Sequence, residues 1–147
     1  MSELGHDILV ATPKDSDAII LLWEACGLTR PWNDASADFR LAVAGAKSDI
    51  LILKQGGQIA AAVMVGFDGH RGWAYYLAVD PDNRLAGLGR KMMKAAEQWL
   101  EQHSAPKIQL MVREDNEQAI GFYKALGYEV QPVVTIGRRL DQGLGAG

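Results

Sequence analysis

Residues 84 to 89 read Arg-Leu-Ala-Gly-Leu-Gly, and they join a strand-like run at Trp73 to Val79 to a helix-like run that continues to about Gln102. Two glycines two residues apart let the backbone turn sharply and come close to a ligand. Several consecutive N–H groups can then point one way, at the positive end of the helix dipole. The stretch therefore predicts a phosphate-binding loop, although a plain strand-to-helix turn fits the same six residues.

The helix predicted after this loop carries an unusual charge pattern. Its apolar residues recur at helical spacing and form a stripe of Leu88, Met92, Ala96, Trp99 and Leu100. Its first turns carry three cations, Arg90, Lys91 and Lys94. A helix start is electropositive and favours acidic side chains, so clustered cations there indicate an anion bound beside them. Ordinary solvated surface charge is the alternative interpretation.

The strand-like runs around the loop predict the sheet. Three runs precede it, at residues 49–54, 58–67 and 73–79, and hairpin-length connections make them antiparallel neighbours. A further run at residues 107–112 follows the helix, and a strand-helix-strand crossover makes it parallel to residues 73–79. The predicted fold class is α/β, a mixed and mostly antiparallel twisted sheet with flanking helices and a parallel central strand pair.

Further elements are predicted on either side of this unit. After a short strand at residues 8–11, Thr12 and Pro13 are suited to start a helix that runs to about Cys26 and ends at Gly27. Its predicted buried stripe is Ala18, Leu21, Leu22 and Ala25. A second helix is predicted at residues 35–46 and another at 116–126. Val130 and residues 133–139 predict a last strand or pair of strands, interrupted at Pro132.

Length and composition limit the possibilities. The 147 residues predict one domain over residues 1–141, followed by a glycine-rich, disordered tail at 142–147. The net charge of -3 argues against electrostatic capture of nucleic acid or an anionic membrane. The single cysteine, Cys26, is predicted to be a small core residue. We expect a cytoplasmic chain without a membrane span or a metal site; a homodimer stays open.

A second motif occupies residues 116–128 and reads Asn-Glu-Gln-Ala-Ile-Gly-Phe-Tyr-Lys-Ala-Leu-Gly-Tyr. With the loop and the preceding Leu77-Ala-Val-Asp-Pro81, it resembles the GCN5-related N-acetyltransferase (GNAT) family, in which acetyl-CoA acetylates an amine. The resemblance covers roughly residues 73–130. It implies an N-acetyltransferase with acetyl-CoA as co-substrate, in which the two parallel strands splay apart to admit the pantetheine arm.

The resemblance also assigns residues to the cofactor. Main-chain groups on the strand would bind the pantetheine and the thioester carbonyl, and they belong to Leu77, Ala78 and Val79. The pyrophosphate would be held by the backbone amides of Leu85, Ala86, Gly87, Leu88, Gly89 and Arg90, with Arg84 at the family's Arg or Gln position. Asn116 would contact the cofactor arm, cap its helix, or do both.

Tyr123 is the predicted catalytic residue and would also contact the cofactor. It lies four residues after Ala119 and three after Ile120, on or beside the buried helix face, where a phenol needs a partner. The resemblance implies a general acid that protonates the leaving CoA thiolate; a structural hydrogen bond is the alternative. The pKa gap between a phenol and a thiol is about 1.5 units, or about 2 kcal/mol, which a hydrogen-bonded transition state can absorb.

The general base is not identified by the sequence. Met111 stands where ribosomal-protein N-terminal acetyltransferases of the family have a glutamate, so that base is absent. Deprotonating a lysine-like amine at neutral pH costs about 4.6 kcal/mol, whereas an α-amine costs about 1.4 kcal/mol, so a weak or water-relayed base suits the second better. Possible replacements are Glu114, Asp68, His70, Asp80 and Tyr76.

The family's acceptor pocket is usually lined by the connection between the first two helices. Here that connection contains Arg30, Trp32, Asn33 and Asp34, and His70 is expected at the same end. The predicted acceptor is a primary amine of a small molecule or of a peptide or protein end. A plain surface turn is the alternative for these residues.

Two other functions compete with acetyl transfer. A catalytically idle acyl-CoA-binding or sensing module is favoured by the absent base at Met111 and opposed by the intact Tyr123. A dinucleotide-binding fold that uses Gly87 and Gly89 lacks the third glycine and the alternating parallel-sheet start.

Overall fold

The computed structural model describes residues 8–141, apart from the side chains of residues 84–86. The predicted tail at 142–147 lies outside this part. The elements, in chain order, are strand β1 (Ile8–Val10), helices α1 (Ser16–Ala25) and α2 (Ala35–Ala44), strands β2 (Ser48–Gln55), β3 (Gln58–Phe67) and β4 (Gly72–Val79), helix α3 (Leu88–Gln102), strand β5 (Ile108–Leu110) and helix α4 (Glu117–Ala125). Short 3-10 turns at Pro13–Asp15 and Pro81–Ala86 lead into α1 and α3.

The five strands form one sheet in the order β1-β2-β3-β4-β5. The first four strands are antiparallel to their neighbours, and β4 and β5 are parallel. Gly56 and Gly57 close the β2–β3 hairpin with φ values of 59° and 82°, which only glycine adopts without strain. The predicted fold class is therefore confirmed.

The parallel pair separates soon after it begins. Gly72, Trp73 and Ala74 pair with the three residues of β5, from Ile108 to Leu110. Strand β4 continues to Val79, whereas β5 ends at Leu110, so the parallel pairing stops at Ala74. A gap therefore opens between the two strands beyond Ala74. Strand β5 is also shorter than the strand predicted at residues 107–112.

A bulge in β4 coincides with the start of this gap. The β3–β4 register shifts between Ala62 and Met64, and Tyr76 has a φ of 53°. Positive φ in a bulky non-glycine residue costs about 1–3 kcal/mol and persists only where surrounding contacts hold it. Tyr76 is held by its ring, which stacks on Trp23 of α1 with centroids 4.0 Å apart.

The sheet separates two hydrophobic cores. Alternating residues of β2 point to opposite faces, with Leu51 and Leu53 toward α3, and Ile50 and Ile52 toward α1 and α2. The predicted stripe of α3 is buried in the first core, as expected: Leu88, Met92, Ala96, Trp99 and Leu100. Helices therefore cover both faces of the sheet.

The predicted buried stripe of α1 is wrong, because the helix is rotated about its axis and buries a different face. The buried residues are Ile19, Leu22 and Trp23, whereas Leu21 is 64% exposed and Ala18 and Ala25 are also exposed. An indole buries more apolar area than a leucine, so burying Trp23 outweighs burying Leu21. The half-buried Cys26 continues the observed stripe, and its thiol donates to the carbonyl oxygen of Val79 at 3.2 Å.

The predicted last strands are also wrong. Between residues 127 and 141 the chain forms no strand, and Val134 and Ile136 are 84% and 91% exposed. Strand propensity depends on a paired and half-buried surface. Here the neighbouring β5 offers three residues, and Pro132 cannot donate to a ladder. The side-chain contacts that tie the segment down include one from Thr135 to Met111.

Gly72→Ala is expected to destabilise the fold at the junction of β4 and β5. An added Cβ would lie 2.6 and 2.7 Å from the two methyl carbons of Leu100 and 2.8 Å from the carbonyl oxygen of Lys107, which is backbone and cannot yield cheaply. Overpacking of this kind costs about 1–3 kcal/mol, measurable by urea unfolding. Gly66→Ala on β3 is the control, because its Cβ would meet atoms at 3.7 Å. Equal stabilities of the two variants would contradict the close approach at Gly72.

Candidate active site

The loop before α3 has the geometry of an anion site. Gly87 is left-handed, with φ 74° and ψ 19°, and occupies the N-cap position of α3 without a side-chain cap. The first turn of α3 has no acidic residue, while Arg90 and Lys91 are exposed. The opening N–H groups of a helix lack intrahelical partners, and its dipole favours an anion there. The side chain predicted to assist, that of Arg84, lies outside the described part, as do those of Leu85 and Ala86.

Gly89 brings the two sequence motifs together. A Cβ at this position would lie 3.1 Å from Cζ and 3.3 Å from Cε1 of Phe122 on α4, and 3.8 Å from a methyl carbon of Val79. Because glycine has no Cβ, the start of α3 approaches the second motif closely without displacing the Phe122 ring. The loop, the end of β4 and α4 therefore surround one region.

Tyr123 lies on α4 at this region. Its ring packs against the same core as Leu77 and Val79 and meets Phe122 edge-on at 5.0 Å. Among the described residues its hydroxyl has no hydrogen-bond partner. Burial raises the pKa of Tyr123 to about 12, so the phenol stays protonated at ordinary pH and remains available to a ligand. By contrast, the hydroxyl of Tyr128 is bonded to Glu97.

Asn116 has the structural part of its predicted role. Its Oδ1 accepts a hydrogen bond from the backbone N–H of Ala119 at 3.1 Å, so it caps α4. The cap fixes the start of the helix that carries Tyr123. Contact with a cofactor arm stays a prediction.

The polar groups of the α1–α2 connection are mostly used within the chain. Arg30 donates to the carbonyl oxygens of Gly27 and Thr29 at 2.8 and 2.9 Å, which holds the end of α1. Asp34 caps α2 by accepting from the N–H of Ala37 at 3.1 Å. Asn33 accepts from Arg139 at 3.1 Å, and Trp32 is half-buried. The connection is thus a braced turn, in which Trp32 offers an aromatic surface.

His70 is not brought to that connection. It lies in the β3–β4 turn at the start of β4, whereas α1 ends beside Val79 at the other end of the strand. A strand rises about 3.3 Å per residue, so roughly 20 Å separates the two ends. The expectation that His70 shares the end of residues 30–34 is not met.

The candidate general bases that lie in turns and loops are Asp68, Asp80 and Glu114, and the first two make structural hydrogen bonds. Asp68 accepts from the N–H groups of Arg71 and His70 and from the indole of Trp73, and these bonds hold its pKa below the usual range. Asp80 caps the 3-10 turn before α3 through Asp82, and Glu114 is exposed on a loop. None of these three carboxylates is shown at the gap between β4 and β5.

Tyr76 does lie at the gap, and it has a partner that the sequence analysis missed. Its hydroxyl donates to Oδ2 of Asp38 on α2 at 2.7 Å. Burial, and then the bond to Asp38, raise the pKa of Tyr76 above its ordinary value, so the phenol stays protonated near neutral pH and cannot accept a proton. The two residues are 38 positions apart, and no spacing rule connects them. The pattern places Asp38 on a helix beside an inward-facing Phe39 and gives no further signal.

An open cavity of about 390 Å³ adjoins this pair. It lies between α2, β3 and β4, and Asp38, Leu41, Met64, Tyr75 and Tyr76 contribute to its walls. No three or more His, Cys, Asp or Glu side chains of residues 8–141 are grouped to hold a metal ion. The described helices are also too short or too polar to cross a membrane.

Comparison with known proteins agrees with this geometry. The model of the acetyltransferase (GNAT) family matches residues 17–128. An acetyltransferase of Pectobacterium atrosepticum is 42% identical over 134 residues, covering 91% of this chain and 95% of that protein. The ribosomal-protein-S18-alanine N-acetyltransferase of Escherichia coli is 27% identical, with a TM-score of 0.71, over 82% of this chain and 75% of that one.

A further solved structure shares the fold. It is AAC(6')-Iy in complex with the bisubstrate analogue CoA-S-monomethyl-acetylneamine, with a TM-score of 0.77 at 15% identity. The match covers 91% of this chain and 97% of that one.

Asp34→Ala is expected to weaken α2 rather than to remove a ligand contact. Loss of an N-cap carboxylate costs about 0.5–2 kcal/mol, and Asp34→Asn should retain most of the stability because its amide oxygen can accept the same bond. Thermal unfolding of both variants measures the difference. If Asp34→Ala has normal stability but selectively loses affinity for the acceptor, Asp34 contacts the acceptor and does not act only as a helix cap.

Proposed function

The chain belongs to the acetyltransferase (GNAT) family and is an acetyltransferase, and we propose that it moves the acetyl group of acetyl-CoA to a primary amine by direct attack. The observation that carries the proposal is the gap between β4 and β5, which has the unpartnered hydroxyl of Tyr123 on one side. The acceptor is a primary amine of a small molecule or of a peptide or protein end. A cytoplasmic location and a homodimer stay predictions.

Three features support acetyl-CoA as the donor. The uncapped start of α3 offers backbone N–H groups beside Arg90 and Lys91, which suits a pyrophosphate. The pairing of β4 with β5 ends at Ala74, so the β5 side of the following residues 75–78 is left open, which suits the amides of a pantetheine arm. The family's donor is acetyl-CoA, and one structural neighbour was solved with a CoA bisubstrate analogue. Leu77, Ala78 and Val79 would hold the arm and the thioester.

The reaction breaks one bond and forms another. The neutral amine attacks the thioester carbon, a C–N bond forms, and the C–S bond breaks as CoA leaves as a thiolate. Holding both reactants together turns an encounter into an oriented step. The amine loses a proton to water or to a weak base, at a cost near neutral pH of about 4.6 kcal/mol for an alkylamine and about 1.4 kcal/mol for the α-amine of a peptide end.

Tyr123 would supply the proton to the thiolate. With a pKa of about 12 it is a weaker acid than a solvent-exposed tyrosine. The gap to a thiol is then about 3.5 units, or about 5 kcal/mol, so full transfer is uphill until the C–S bond has largely broken. Tyr123 therefore acts first as a hydrogen-bond donor to the sulfur as charge develops there, and solvent restores its proton afterwards.

The acceptor would approach from the opposite face of the sheet. Trp32 in the α1–α2 connection supplies an aromatic wall, while Arg30, Asn33 and Asp34 brace the connection. The ribosomal-protein-S18-alanine N-acetyltransferase, which shares the fold at 27% identity, is named for an amine acceptor and supports one here.

Gly87→Glu is expected to abolish CoA binding. The side chain would put an anion beside the phosphates and would strain a residue with φ 74°. Gly57→Glu is the matched control, because Gly57 is also left-handed, with φ 82°, and lies in the distant β2–β3 turn. Calorimetry with CoA should find no binding to the first variant and normal binding to the second. If Gly87→Glu binds CoA with unchanged affinity, the loop before α3 is not the donor site.

Tyr123→Phe is expected to lower kcat by about 10²-fold with CoA affinity retained, since it deletes only the proton donor. Tyr128→Phe is the control, because it deletes a hydroxyl that is bonded to Glu97. In the wild type, ionisation of Tyr123 should not reduce kcat at pH about 10, where an ordinary tyrosine would be half ionised. Full kcat in Tyr123→Phe, measured by thiol release, would make Tyr123 a packing residue.

A further inference from the structure

Asp38 is a half-buried carboxylate whose charge is not neutralised by an ion pair. Among the described side chains it has one hydrogen-bond partner, Tyr76, and no ion pair with a Lys, Arg or His within 4.0 Å. Two guanidinium groups lie in the neighbourhood, but both are engaged elsewhere. Arg139 is bound by Asp141 at 3.0 and 2.9 Å, and Arg30 donates to the carbonyl oxygens of Gly27 and Thr29. A carboxylate partly removed from water and held by one neutral donor favours a cation beside it.

The cavity beside Asp38 suits a small organic ligand. Its volume of about 390 Å³ lies in the range of small-molecule sites. Asp38 is the only charged residue among those that line it. The hydroxyl of Ser48, which also lines it, donates to the carbonyl oxygen of Ala42 at 2.8 Å. The other walls are apolar or aromatic, including Leu41, Met64 and Tyr75. Tyr75 is 37% exposed, and its ring also stacks on Trp73 with centroids 6.1 Å apart. One negative group in an apolar and aromatic surround matches a cation on an apolar body.

The Asp38–Tyr76 hydrogen bond ties this cavity to the gap in the sheet. Tyr76 holds its left-handed conformation where β4 has just lost β5 as a partner. The residues that follow are those proposed to hold the thioester. A cation at Asp38 therefore lies on the acceptor face, beside the strand that carries the donor.

We propose that Asp38 binds the ammonium group of the acceptor, with Tyr75 and Tyr76 against its apolar body. This assignment rests on the proposed function, and it narrows the substrate class to monocationic primary amines on an alkyl or aryl chain. Free α-amino acids are disfavoured, because no cation among the lining residues could receive their carboxylate, which would lie near Asp38. Asp38 is a specificity-determining residue of the acceptor site.

A permanent cation separates binding from catalysis. Phenethyltrimethylammonium carries the charge and the aryl body but has no N–H and cannot be acetylated. Titrated into the CoA-saturated protein, it should bind the wild type, and Asp38→Asn should weaken it about 10- to 100-fold. Its uncharged carbon isostere should bind both proteins equally. No saturable binding of the cation to the wild type, or equal affinity for Asp38→Asn, overturns the site.

Two further variants exclude a merely structural effect. Tyr76→Phe removes the hydrogen bond but keeps both the ring and the carboxylate, so it should retain the cation affinity. Glu101→Gln neutralises an exposed acid on α3, across the sheet from the cavity, and should change nothing. If Tyr76→Phe lost the cation as fully as Asp38→Asn did, the bond rather than the charge would be responsible, and the proposal would fail.

Turnover then distinguishes this proposal from the proposed function. The wild type should acetylate phenethylamine with a kcat/KM well above that for phenylalanine, and Asp38→Asn should reduce that preference about tenfold or more. If Asp38→Asn acetylates amines with an unchanged preference for phenethylamine over phenylalanine, Asp38 does not determine specificity, and the proposed acetyl transfer is unaffected. If the cation binds but no primary amine is acetylated, the proposed amine acetylation is contradicted, whereas the cation site at Asp38 is supported.

Discussion

The divergence of β4 from β5 is the constraint on which the rest of the site depends. The two strands pair through Ala74, and β4 then continues past Tyr76 paired with β3 alone. The φ of Tyr76, 53°, is unfavourable for a tyrosine. Stacking on Trp23 and the bond to Asp38 hold that conformation. The indole N–H of Trp23 is buried without a partner in the described part, so ring stacking rather than hydrogen bonding sets its position. Helices α1 and α2 thus brace the bulge.

The gap gives the enzyme two approaches to one strand. On the face of α3 and α4, Gly89 lets the start of α3 approach Phe122 of α4 and Val79 at the end of β4. On the face of α1 and α2, a cavity with a single charged residue adjoins Tyr76. A donor and an acceptor that enter from opposite faces would meet at the part of β4 beyond its pairing with β5, where positioning would supply much of the rate. The pKa of Tyr123 suits a group that stays protonated until sulfur charge develops.

The sequence predicted the elements whose signals are local. Hairpin glycines, the caps at Thr12 and Asn116 and the 3.6-residue period of α3 are each fixed by nearby residues, and the structure has all of them. The predictions from sequence were wrong where tertiary packing determines the structure. The rotation of α1 follows from the burial of Trp23, and residues 133–139 have strand propensity without a strand to pair with. The Asp38–Tyr76 pair joins distant residues through the fold, so no local pattern contains it.

A crystal structure of the protein with acetyl-CoA tests the central claim most directly. The account predicts the pyrophosphate at the backbone of residues 87–90, the pantetheine arm along residues 77–79, and the thioester sulfur within hydrogen-bonding distance of the Tyr123 hydroxyl. The β4–β5 pairing should still end at Ala74 and Leu110. A ligand bound outside the gap, or a β5 that pairs with β4 as far as Val79 and closes it, would contradict the account.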